Sequence, residues 1–251
     1  MPGAIFRFRD FRDEIEAMRH LADSGKFLTS SSVTRLERFQ ASLEQAQRGP
    51  NVHRIEISKD YPIETYPSPG DYRPGSKEKR QLIGELSICW HIRPNGKRKK
   101  RTGFPGFVVD TEAGVASTRI AIKVLGNDDN EPEEKAVWRS DIRTTHGPGC
   151  FYHIQVLGES DDKPFPHFMG IPRFPDPFTT PMAVLEFLLC ELFPERWEKH
   201  LSGGTHLSGE WRESQKKRWL VRLEEQKKAV SRTSSSPWFS ILSWSPSSLN
   251  G

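Results

Sequence analysis

The sequence predicts an α+β fold: an antiparallel sheet of about five to six strands flanked by N-terminal and C-terminal helices. Three observations carry this. From Leu82 the even positions read Leu82, Gly84, Leu86, Ile88, Trp90 and Ile92, while Glu85, Ser87, Cys89, His91 and Arg93 occupy the odd ones. A period of two puts successive side chains on opposite faces, which is the pattern of a half-buried strand. Strand-like segments and turn residues then recur through the middle of the chain, at a spacing of roughly 12 to 20 residues, as in an antiparallel meander rather than β-α-β units. Helical periodicity is confined to the two ends.

Length and composition set bounds. The 251 residues suffice for a full core, hydrophobic content is 35%, charged content is 28% and the net charge is +4. A mild excess of cations, clustered rather than spread, permits contact with nucleic acid or an acidic partner without requiring it. Cys89, Cys150 and Cys190 are odd in number, widely spaced and without a Cys-x-x-Cys pair, which argues against a disulfide scaffold and fits a reducing compartment. No apolar run resembles a signal peptide or reaches the roughly 18 residues of a membrane span, so a cytoplasmic location without a membrane partner is expected.

In chain order, residues 10 to 48 read as two helices. Phe11, Ile15, Met18 and Leu21 recur at helical spacing before Gly25; Ser30 to Ser32 offer N-caps to a stripe of Val33, Leu36, Phe39 and Leu43 that Gly49-Pro50 stops. Residues 53 to 59 suit a short strand, and the prolines and glycines of 61 to 80 a long surface loop. After the strand from Leu82, Pro94-Asn95-Gly96 supplies turn chemistry. Phe107 to Asp110, Ala116 to Val124, 136 to 143 and 150 to 157 continue the sheet, with an acidic loop at 126 to 134. Residues 161 to 179 are too rich in proline for a helix and suit extended chain. Thr180-Pro181 opens a helix with N-cap and first-turn proline, its stripe Leu185, Leu188, Leu189 and Leu192, with a break or kink at Pro194. A last helix spans about 210 to 230. The resulting organisation is a helical pair (1–50), a sheet core with its closing helix (51–205), a basic helix (206–230) and a flexible aromatic and Ser-rich tail (231–251).

Catalytic constellations are sparse. His146, Cys150, His153 and His167 are all acceptable zinc ligands, but their spacing is not a usual zinc pattern, and Cys150 and His153 would face opposite ways on one strand. No metal and no cofactor are therefore expected. His153 and Gln155 share a face as a candidate polar pair. Cys89 shares a face with His91, and Cys150 follows the turn His146-Gly147-Pro148-Gly149. An N-terminal helix, a meander, a His-Gly-Pro turn, a cysteine and C-terminal helices resemble the layout of ubiquitin-conjugating enzymes, which implies Cys150 as a thiol nucleophile. The turn lacks the family's Asn, and the prolines follow the cysteine instead of preceding it. Asp110 and Glu112 have no following Glu-x-Lys, so the nuclease pattern is incomplete, and no phosphate-cradling glycine loop or nucleophile elbow occurs.

Two positive features remain. Lys97-Arg98-Lys99-Lys100-Arg101 places five consecutive cations at or just past a hairpin tip, where they can reach phosphates, and Arg93, Arg119 and Lys123 could extend the patch across the sheet. The tail keeps Trp238, Phe239, Ile241, Leu242 and Trp244 among serines. Such anchors suit docking into a protein partner's groove, and equally a return to the chain's own domain. The expectation is a non-catalytic cytoplasmic subunit of a multiprotein assembly acting on or near nucleic acid; the alternative is an enzyme using Cys150 or a site of His146, His153 and His167.

Overall fold

The computed structural model describes residues 4–69, 80–125, 132–142, 152–158, 174–176 and 178–231. His146, Cys150, His167 and the tail aromatics lie outside them. The described elements run β1 (Ile5–Arg7), α1 (Phe8–Ser24), α2 (Ser30–Arg48), β2 (His53–Ile57), β3 (Ile63–Glu64), β4 (Leu82–Asn95), β5 (Gly106–Val109), β6 (Ala116–Val124), β7 (Glu133–Ile142), β8 (Tyr152–Gly158), β9 (Phe174–Pro175), α3 (Pro181–Leu192), α4 (Pro194–Ser202) and α5 (His206–Ser231). The α+β class holds.

All strand pairs are antiparallel, and β4 organises them. Cys89 pairs with Glu56 of β2 and Ser117 of β6, and Ile92 with His53 of β2 and Val109 of β5. Since a strand residue has one neighbour per edge, β2 lies along one edge of β4, while β5 and β6 share the other. β3 pairs with Leu86 and Glu85 of β4, and β6, β7, β8 and β9 continue the sheet. The even side chains of β4 from Leu86 to Ile92 are buried and the odd ones are half-buried or exposed, as the alternation predicts.

The helices cover the even face. Phe6, Phe11 and Phe107 gather on Trp90, with Phe11 stacked at 5.7 Å between ring centres. Gly84 interrupts the β4 stripe because α3 presses there: a Cβ would lie 2.6 Å from Leu192 and 2.8 Å from Leu188. The helix starts follow capping chemistry, although Thr29, not Ser30 to Ser32, caps α2 by accepting from Ser32 N. Thr180 caps α3 by accepting from Ala183 N, and its hydroxyl also donates to Glu14 Oε1 at 2.6 Å. Glu14 is buried on α1; it accepts from Gln215 Nε2 at 3.2 Å and pairs with Arg218 at 2.6 Å. One carboxylate thus ties α1, the start of α3 and α5 together.

Four sequence expectations change. Residues 61 to 69 are not a surface loop: Ile63, Thr65 and Ser68 are fully buried, and Ser68 bridges to Leu82. Glu133 and Glu134 belong to β7, not to an acidic loop, and pair with Lys135 and Arg119. Pro194 starts α4, so three helices follow the sheet where two were expected. β1, β3 and β9 add three strands of two or three residues, too short to show a period. No described helix is long and apolar enough to cross a membrane.

Candidate functional site

The cationic run sits on a built loop. β4 continues through Pro94 to Asn95, so the connection to β5 is residues 96–105 rather than a tight turn at 94–96. Gly96 takes a positive φ of 89° that suits glycine. Lys99 and Gly103 exchange two main-chain hydrogen bonds, at 2.8 and 2.9 Å, leaving Lys100, Arg101 and Thr102 as the tip. The base is fastened to the last turn of α2: Phe104 N donates to Gln47 O at 3.0 Å, and Gln47 Nε2 donates to Phe104 O at 2.9 Å. Gly103 has φ 71°, and any Cβ there would overlap the Gln47 carbonyl oxygen. Lys97 to Thr102 are all exposed. Among the described residues none of the five cations has an ion-pair partner.

The other expected cations sit elsewhere. Arg93 is near the loop on β4, but pairs with the buried carboxylate of Asp110. Arg119 pairs with Glu134 at 2.7 Å and is largely buried; Lys123 pairs with Glu85 at 2.6 Å. Arg119 lies opposite Ser87 and Lys123 opposite Ile83, six and ten residues back from Arg93, or about 20 and 33 Å at strand rise. The structure therefore does not bring Arg119 and Lys123 to the loop. It brings two cations that sequence reading passed over. Arg7 of β1 is registered to Gly106, and Arg48 follows Gln47; both are exposed. Neither carried a local signal, because each reaches the loop only through long-range pairing.

The polar face of the sheet carries the second candidate group. His153 and Gln155 share that face, as expected, and both are buried. Gln155 accepts from Arg139 at 2.6 Å, Arg139 also binds Asp141 at 2.9 Å, and His153 Nε2 lies 3.7 Å from Asp141, longer than a hydrogen bond. Cys89 is in the same cross-strand row, but β6 and β7 intervene. Three strand spacings put it about 14 Å from His153, too far for a thiol–imidazole pair. Cys190 is exposed at its surface, yet partial burial, with the carboxylates of Glu186 and Glu191 acting in the same direction, pushes its thiol up to about 12. It carries almost no thiolate at neutral pH. Among the described residues no three His, Cys, Asp or Glu side chains are grouped to hold a metal ion.

No family model, curated protein or solved structure matches this chain. The functional reading therefore rests on the geometry alone.

One titrating group is built into the region between the sheet and α5. Asp176 is fully buried; it accepts from Ser140 Oγ and from Phe178 N at 2.7 Å, with Arg222 nearby. Burial raises its carboxyl from 3.8 to about 7, against those hydrogen bonds and Arg222. Between these values the folded protein binds a proton that the unfolded chain releases. The contribution of Asp176 to stability is therefore full below about pH 4, declines as pH rises to about 7, and is flat above. Asp176→Asn imitates the neutral acid at every pH. Its melting midpoint should rise relative to the parent between pH 4 and 7; a constant difference would show an ionised Asp176 throughout.

Proposed function

We propose that this chain is a non-catalytic binding subunit of an assembly that works on or near nucleic acid, with the loop of residues 96–103 as its phosphate contact. The observation that supports the reading is the conjunction of five adjacent exposed cations with a fastened base. A charge run on an unconstrained loop would lose conformational entropy on binding; here the two Lys99–Gly103 bonds and the two Gln47–Phe104 bonds have already ordered the backbone. Arg7 and Arg48 flank the base and widen the cationic surface. Contacts of this kind fix position and affinity on a phosphate backbone without reading bases. A protein partner belongs to the same reading, through the aromatic tail.

Replacing Lys97, Arg98, Lys99, Lys100 and Arg101 together by neutral polar residues should leave the melting midpoint nearly unchanged, because an exposed tip contributes little burial. Affinity for labelled DNA or RNA at low salt, read by fluorescence anisotropy, should fall by about tenfold or more. Unchanged affinity in a folded variant would end the proposal.

A further inference from the structure

The face of the sheet that carries α3 is not closed along its whole length. Beyond the start of α3 an apolar cleft of about 230 Å³ opens between β6, β7, β8 and the helix, lined by Ile120, Trp138, Ile154, Val156, Phe178 and Phe187. Val156 remains 36% exposed at its mouth. Exposed apolar walls of this kind are unfavourable in water and favour an apolar occupant. The cleft offers almost no polar group, so the occupant it fits is an aromatic or aliphatic side chain rather than a polar metabolite.

The geometry points to residues 232–251 of the same chain as that occupant, with an indole from Trp238 or Trp244 in the cleft. The argument is one of reach and composition. Arg222 of α5 lies over the Tyr152 ring at 5.0 Å and donates to Asp176 O at 3.5 Å. Asp176 in turn holds Ser140, which also lines the cleft. α5 therefore passes beside the cleft and ends nine residues later at Ser231, about 13 Å further along its axis. Trp238 follows seven residues on, a span of up to about 24 Å, and Trp244 has about 20 Å more. Either ring can return to the cleft, and the tail carries no acidic residue that would have to be desolvated with it. In this position the anchors are sheltered by the domain itself, and a protein partner would have to compete for them. The inference concerns the tail and is independent of the basic loop.

Limited chymotrypsin digestion of the full chain, mapped by mass spectrometry, tests it. Val156→Asp places a charge at the cleft mouth without touching the closed core. Cleavage after Trp238, Phe239 and Trp244 should be about tenfold faster in Val156→Asp than in the parent, while cleavage elsewhere is unchanged. The parent should stay monomeric by light scattering and keep its protection on dilution. Three outcomes overturn the inference. Equal tail cleavage in both proteins would show an unoccupied cleft or another occupant. Accelerated cleavage at Phe165 and Phe168 instead would assign the cleft to that segment. Protection lost on dilution would assign it to a second copy. Trp238→Ala with Trp244→Ala, unable to fill the cleft, should bind an apolar dye more strongly than the parent; equal dye binding would count against it as well.

Discussion

Replacing Glu14 with alanine should destabilise the protein by about 3–5 kcal/mol, the cost of breaking a buried charge pair from one side. Glu14 is the common acceptor for Thr180 and Gln215 and the counter-charge of Arg218. Alanine leaves all three without it and opens a void between α1 and α5. Arg218 keeps 23% of its side chain exposed and can turn to water, which places the loss near 3 kcal/mol. In a chain of this size that is a fall of roughly 6–12 °C in melting midpoint. Glu14→Gln retains an oxygen for the Thr180 hydroxyl and should lose less. Calorimetry of the two variants beside the parent decides it, and a loss under about 1 kcal/mol for Glu14→Ala would show that α5 is anchored elsewhere.

Gly103→Ala should cost about 2–3 kcal/mol and weaken polyanion binding several-fold, although no charge changes. Holding alanine at positive φ costs roughly 1–2 kcal/mol, and overlap with the Gln47 carbonyl adds about 1–3. Letting the loop leave α2 instead forfeits the two Gln47–Phe104 hydrogen bonds, about 1 kcal/mol each. Release is the cheaper response, so the cations would remain exposed but lose their fixed backbone. Anisotropy at low salt reads the affinity, and thermal melting the stability. A Gly103→Ala protein that is destabilised yet binds with parental affinity would show that charge alone matters and that the fastened base does not.

The central strand was legible residue by residue, since the alternation from Leu82 to Arg93 is long enough to declare its face, and Thr180-Pro181 marked α3 through capping chemistry alone. The pieces that escaped were short or non-local. Two residues of β3 show no period, and the prolines around Ile63 and Ser68 read as surface although their side chains are buried. Glu14 did leave a sign: it falls beside Phe11, Ile15 and Met18 on the buried stripe of α1, where a carboxylate requires partners. Those partners, Thr180, Gln215 and Arg218, lie more than 160 residues away. The same distance problem hid the site. The run from Lys97 to Arg101 was visible as charge, but its attachment to Gln47, and the approach of Arg7 and Arg48, depend on which helix and strand end there. Arg119 and Lys123 alternate correctly for one face, yet carboxylates on neighbouring strands engage them.

The most direct measurement is the salt dependence of nucleic-acid binding by the parent and by the variant neutralised at Lys97 to Arg101. Each phosphate neutralised contributes about −0.9 to the slope of log K against log salt on duplex DNA. A loop whose cations contact phosphate predicts a parental slope steeper than that of the variant by about 3–4. Parallel lines for two folded proteins would contradict the account.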